Sequence, residues 1–204
     1  MILDTVSVGP MGVNCYILAA KEDSRAIIID PGDEENKIRK ALNRHKLTCG
    51  IVINTHGHYD HIGADDQFGV SVYVHRLDAS LLVDPILNLS GLFARPYKVK
   101  SEIKYLEEGE IIALDDVELK VLHTPGHTKG GVSLLMQKPD QKIVFTGDTL
   151  FCQGIGRYDL SGGDEKALLK SIKDKLLVLP SETRVFPGHG PYSTIGQERG
   201  NILE

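Results

Sequence analysis

The sequence predicts an α/β protein folded as a four-layer αββα sandwich, with two sheets inside and helices outside. Three observations lead there. Short apolar runs of strand length are interspersed with amphipathic stretches of helical period. The order strands, helix, strand, then a polar loop occurs in the first half of the chain and again in the second. The residues best suited to hold a metal follow predicted strands in both halves. The 204 residues fit one domain, residues 1–204, made of two similar halves around a shared core.

The first half opens with strands. Ile2 to Val8, Val13 to Ala19 and Ala26 to Asp30 are apolar runs separated by Gly-Pro and charged turns, and are predicted as strands. Asp30-Pro31-Gly32-Asp33 stops the third and is suited to cap the next element. Glu34 to Lys46 sets Ile38 and Leu42 on one side among charges, the pattern of an amphipathic helix. Cys49 to Asn54 is a strand of the buried type. A short helix is expected from Asp60 or His61, a strand at Ser71 to His75, and a short helix at Leu77 to Val83. Asp84 to Tyr97 is apolar yet broken by Pro and Gly, and reads as a surface loop or as a lid or pocket wall.

The second half is expected to begin with strands at Ile103 to Leu106, Ile111 to Leu114 and Val117 to His123. Val132 to Met136 and Ile143 to Thr146 come next, separated by the turn Lys138-Pro139-Asp140. Asp164 to Leu179 carries Leu168, Leu169, Ile172, Leu176 and Leu179 on one face and is the clearest helix. Thr183 to Phe186 is the last predicted strand, and Ile195 to Arg199 has room for one short helix.

Composition narrows the function classes. A net charge of −5 argues against a nucleic-acid backbone as the main partner. No run approaches the roughly 18 apolar residues that span a bilayer, so no membrane role is expected. Met1 to Thr5 has neither the basic region nor the apolar core of a secretory signal. Cys15, Cys49 and Cys152 are odd in number and widely spaced, as reduced thiols of a cytoplasmic protein would be. The expected partner is a small-molecule substrate.

The chemistry concentrates in Thr55-His56-Gly57-His58-Tyr59-Asp60-His61, which places three imidazoles and a carboxylate within six residues. Transition metals take nitrogen and oxygen ligands of this kind. His56 and His58 are two apart, so on an extended segment they point the same way. Asp60 and His61 come as the chain turns into a helix and aim elsewhere. The glycine at 57 is expected to leave space for ions and for a turn. His127, Asp148 and His189 lie downstream, each beside a glycine. Seven candidate ligands exceed what one tetrahedral ion needs and suit two ions with a bridging group. Thr55 and Thr124 are placed to support neighbouring ligands through hydrogen bonds. His45, His75 and His123 have no such spacing and are read as ordinary side chains.

These residues match the metallo-β-lactamase superfamily of hydrolases, and the chain most resembles its glyoxalase II-like branch. The resemblance runs from Asn14-Cys15-Tyr16 and Asp30-Pro31-Gly32 to Gly188-His189-Gly190-Pro191. Gly147-Asp148-Thr149-Leu150-Phe151, with Gly154-Ile155-Gly156-Arg157 after it, points to the branch. The resemblance implies one site of His56, His58 and His127 and a second of Asp60, His61 and His189. It implies that Asp148 bridges them. It implies two divalent ions per chain, zinc by ligand type, with iron and manganese accepting the same set. The implied reaction is hydrolysis of a small acyl thioester of the hydroxyacylglutathione type by a metal-bridging hydroxide, which Asp60 would also orient. The chain is shorter than full glyoxalase II enzymes, with their added helical C-terminal region, and resembles the short single-domain relatives. Arg157 stands where those enzymes often carry a lysine. Arg157 and Tyr158 come after a Gly-rich loop and are candidate contacts for an anionic substrate. The rival reactions are those of a mononuclear iron persulfide dioxygenase, which needs only two histidines and an aspartate, and of a lactonase of the same superfamily.

Overall fold

The computed structural model describes residues 1–93, 96–138 and 140–203. Ala94 and Arg95 of the Asp84–Tyr97 segment, and Pro139 of the predicted Lys138–Asp140 turn, lie outside the described residues.

Short apolar runs build the first sheet. It contains β1 (Ile2–Val8), β2 (Val13–Ala19), β3 (Arg25–Ile29), β4 (Thr48–Ile53), β5 (Val72–His75) and β6 (Ile103–Leu106), in that spatial order. β1, β2 and β3 are antiparallel neighbours, while β3 to β6 run parallel. In β2, Cys15, Ile17 and Ala19 face one side and Tyr16 and Leu18 the other, and all are buried. Such a strand is covered on both faces. The outer face is covered by α1 (Glu35–Arg44), whose Ile38, Ala41 and Leu42 are buried. Two further short helices, α2 (Tyr59–Ile62) and α3 (Ala79–Val83), contribute Ile62 and Leu82 to the same cluster. Helix α1 is shorter than predicted. Glu34 adopts a left-handed conformation at φ 47° with no side-chain cap, and the Asp33 carboxylate accepts the Glu34 N–H instead of capping the helix.

The second sheet starts at β7 (Ile111–Leu114) and continues through β8 (Val117–His123), β9 (Val132–Met136) and β10 (Ile143–Gly147). A small hairpin of β11 (Leu150–Phe151) and β12 (Gly154–Ile155) then stands apart. β13 (Arg184–Pro187) and β14 (Ser193–Thr194) complete the sheet beyond β10. The outer face meets α4 (Glu165–Ser171) and α5 (Ile195–Leu203), burying Leu168, Val144, Val185 and Ile195. Between the two sheets lie Tyr16, Leu18, Ile27 and Ile29 of the first with Leu119, Val121, Leu134 and Phe145 of the second. The four predicted layers are present.

Helix α5 runs on to Leu203, past the predicted Arg199, and two further assignments differ from the sequence reading. Ile103–Leu106, expected to open the second half, is the edge strand of the first sheet, parallel to β5. Its burial pattern shows why: Leu106 is fully buried while Lys104 and Tyr105 are exposed, as an edge strand requires. The helix predicted to Leu179 is α-helical only to Ser171 and continues as a π-helical turn over Ile172–Leu176. That turn keeps Ile172 and Leu176 on the buried face.

Candidate metal centre

Each predicted ligand sits just past the end of a strand. The His56–His61 segment comes after β4, His127 after β8, Asp148 after β10 and His189 after β13. All four strand ends lie at one edge of the sandwich, and the structure brings the seven side chains together. Three groups have ligand atoms within 4.8 Å of one another: His56, His58 and His127; Asp60, His61 and His189; and His56, His61 and Asp148. Asp148 lies between the two trios. Its Oδ1 is 3.4 Å from His61 Nε2, and its Oδ2 is 3.7 Å from His127 Nε2 and 3.6 Å from His189 Nε2. Asp60 Oδ2 is 3.4 Å from His189 Nε2 and 3.7 Å from His61 Nε2.

The surroundings decide which ring nitrogen each histidine offers. Asp30 accepts the Thr55 N–H and hydroxyl, both at 2.7 Å, and its Oδ2 lies 2.9 Å from His61 Nδ1. An acceptor there places the proton on Nδ1 and frees Nε2. Since the Thr55 hydroxyl donates to Asp30, its oxygen is left to accept from His56 Nδ1 at 3.2 Å. His127 Nδ1 donates to the Arg157 carbonyl at 2.7 Å, and His189 Nδ1 to the Met11 carbonyl at 3.1 Å. Four Nε2 atoms are thereby turned toward the centre. His58 is the exception: its Nδ1 faces His127 Nε2 at 2.9 Å. Those two lone pairs need a proton or a cation between them. The Nε2 atoms of His56 and His61 and Oδ1 of Asp148 are buried with no hydrogen-bond partner. Such orphaned atoms, in a nitrogen- and oxygen-donor set, fit a pair of divalent cations.

Electrostatics separates the trios. Burial, then the neighbouring histidines, pushes His56 well below the usual imidazole range. Burial and His127 bring His58 down to about 3. For His61, burial acts in the same direction, but Asp148, Asp60 and Asp30 together outweigh it and raise the pKa well above the usual value. His189 is also raised, burial being overcome by Asp60 and Asp148. Asp148 and Asp60 are held low, the surrounding histidines outweighing burial.

Several supporting residues differ from the sequence expectation. Thr55 does border a ligand, but Thr124 bonds to Ser133 and Thr149 and reaches no ligand directly. A Cβ at Gly57 would strike Leu81, so that glycine makes room for α3 and not for ions. At Gly188 a Cβ would strike Asp148 Oδ1 and crowd His61, so there the absent side chain does open the centre. Arg157 forms a two-pronged ion pair with Asp159 on the surface, both bonds at 2.9 Å, while its carbonyl holds His127. Tyr158 is exposed and bonded to Glu165. Cys152 is half-buried in the turn between β11 and β12. His45 is paired with Asp4, and His75 and His123 stack on each other at 4.0 Å, away from the trios.

Asp30, Asn14, Tyr16 and Asp78 support the centre without having been expected to. The Asn14 amide donates to the carbonyls of Pro187 and Gly190, and the Tyr16 hydroxyl to that of Pro187, so the loop of His189 is tied to β2. Asn14 and Tyr16 lie in the Asn-Cys-Tyr segment, and Asp30 in Asp-Pro-Gly, so a sequence signal existed for these three. An apolar cleft of about 530 Å³ borders Asp60, lined by Val8, Pro10, Met11, Tyr59 and Tyr97 among others. Tyr97 thus makes the end of the Asp84–Tyr97 segment a pocket wall.

Comparison with known proteins shows the family and the fold. The family model "Metallo-beta-lactamase superfamily" matches residues 8–189. A probable metallo-hydrolase of Bacillus subtilis, YqgX, is 39% identical, covering 94% of this chain and 92% of its own. Hydroxyacylglutathione hydrolase GloC of Haemophilus influenzae is 34% identical over 98% of this chain and 95% of its own. Among solved structures, the BLEG-1 B3 metallo-beta-lactamase superposes with a TM-score of 0.89 at 40% identity, covering 98% and 97% of the two chains. TTHA1623, crystallised in a di-iron-bound form, gives 0.80 at 38% identity, covering 96% of each chain. ETHE1 from Myxococcus xanthus gives 0.81 at 26%, covering 99% of this chain and 83% of that one.

Proposed function

The chain belongs to the metallo-beta-lactamase superfamily, and from this centre we propose that it is a dinuclear metal-dependent hydrolase cleaving a small acyl thioester of the hydroxyacylglutathione type. The observation that carries the reading is the completeness of both trios, with Asp148 between them. His56, His58 and His127 would hold one ion, Asp60, His61 and His189 the other, and Asp148 both. Bound there, two such cations would supply Lewis acidity toward a carbonyl and would lower the pKa of water to about 7.

The side chains do the rest. Against burial, the surrounding histidines hold the Asp60 carboxyl below its usual range, and it borders the cleft, so it is placed to accept and orient the proton of an attacking water. Its neighbours Val8, Pro10 and Met11 give the cleft an apolar wall on one side. A thiolate leaves without needing a proton, so no acid is required opposite Asp60. Arg157, with its side chain 67% exposed, can exchange Asp159 for a substrate carboxylate, and Tyr158 stands beside it. The thioester is supported by the likeness to the Haemophilus influenzae hydrolase. Zinc suits the imidazole-rich set, and the di-iron form of TTHA1623 supports iron as the other candidate. The three free thiols suit a reducing, cytoplasmic setting.

The test is metal analysis of the purified protein with assays on the same sample. Two metal equivalents per chain and hydrolysis of an acylglutathione are expected. A single iron with oxygen uptake on a persulfide, or a metal-loaded protein active on lactones and inert to thioesters, would overturn the reading.

A further inference from the structure

Asp78 is fully buried, yet no reaction step uses it. It ends the 3-10 turn Arg76–Asp78 and leads into α3, in the half of the chain that carries the His56–His61 segment. Its carboxylate accepts three hydrogen bonds. One comes from Gly57 N–H at 3.1 Å, one from the Thr128 hydroxyl at 2.7 Å and one from Gly130 N–H at 2.6 Å. Gly57 is the residue between His56 and His58, and Thr128 is next to His127. One carboxylate therefore grips the chain beside all three members of the first trio, although they come from different sheets.

The grip is close. A Cβ at Gly57 would strike Leu81, and a Cβ at Gly130 would strike Asp78 itself. A backbone hydrogen bond from Val132 N–H to the Thr55 carbonyl, at 2.8 Å, runs along the same seam. The members of the second trio are supported elsewhere: His61 by Asp30, and His189 by the Met11 carbonyl. The three bonds of the Asp78 carboxylate all go to the first trio's loops and none to the residues flanking Asp60 or His189.

Resting on the metal reading above, we infer that Asp78 is the positioning residue of the first trio, setting the distance between the His56–His58 segment and His127. A buried carboxylate that holds ligand-bearing loops acts on metal affinity through the geometry it enforces, and losing such a support typically costs about 10–100-fold. The effect should fall on one ion.

Zinc titration against a competing chelator tests this in two backgrounds. With His189→Ala, the first trio is the complete one; with His127→Ala, the second is. Asp78→Ala should weaken zinc about 10–100-fold in the first background and by less than about threefold in the second. Leu82→Ala, a fully buried cut in the helix that Asp78 leads into, controls for lost stability and should leave both affinities within about threefold. Thr128→Val removes one of the three bonds and provides a milder variant should Asp78→Ala fail to fold; it should show the same bias toward the first trio. Equal losses at both trios, no loss at the first, or an equal loss with Leu82→Ala would overturn the assignment of Asp78 alone. An unsubstituted protein that binds no zinc, iron or manganese would overturn the metal reading, and this inference with it.

Discussion

The two trios differ in composition, burial and support, and the difference shows how one edge of a sandwich can host unlike sites. The first is three imidazoles, all at most 5% exposed, with His56 and His58 pushed toward the neutral form. The second contains a carboxylate and opens outward, with Asp60 and His189 side chains 15% and 27% exposed. Its His61 and His189 are pushed toward the charged form by the carboxylates around them. The first trio straddles the seam between the sheets and is held there by buried hydrogen bonds. The second lies beside the cleft at Met11 and Tyr59. The inner trio is tightly supported and the outer one is accessible from the cleft.

That contrast can be broken most decisively at Asp148, the group common to both. Asp148→Ala should release both ions and lower activity by more than the roughly 100-fold that losing a supporting group costs. Loss of one ion only, by metal analysis, would contradict its bridging place. The next effect separates the trios. His127→Ala should weaken only the inner ion and His189→Ala only the outer one, each cutting activity strongly while circular dichroism stays native. Ligands at loop tips contribute little to the core, so wild-type turnover in both variants would refute the assignment. The smallest effect tests the seam. His75 of β5 and His123 of β8 stack across it at 4.0 Å and 10° between planes. Burial first, then His123, brings His75 down to about 4, against the opposing pull of Glu107 and Glu108. A depressed histidine adds stability that is present at neutral pH. That stability is lost as pH falls from the unfolded value near 6.5 toward about 4. The melting temperature should therefore drop by a few degrees over that window, and His75→Phe should flatten part of the slope. An unchanged slope would mean that another group carries it.

Much of this was legible in the chain. The His56–His61 spacing and the three Gly-flanked ligands identified every member of the two trios, because metal ligation demands particular atoms and those residue types are rare. Strands were legible because short apolar runs stand between turn residues: β1, β2 and β6 through β9 have the predicted ends. The two-residue strands β11, β12 and β14 were not, since two residues make no such run. Ile103–Leu106 was placed in the wrong half because strand character says nothing about which sheet a strand joins. Gly57 was read as space for ions when its neighbour is Leu81, a residue that only folding brings near.

The sequence by itself determined the layer order and the seven side chains of the centre, because both come from local pattern and residue chemistry. Only the tertiary structure decided which nitrogen each histidine offers and that Asp30 and Asp78 hold the trios. Those facts depend on contacts between segments far apart in the chain, such as Asp78 with Thr128 and Asn14 with Pro187. A hydrogen bond is fixed by distance and direction in space, and residue order specifies neither until the sheets have packed together.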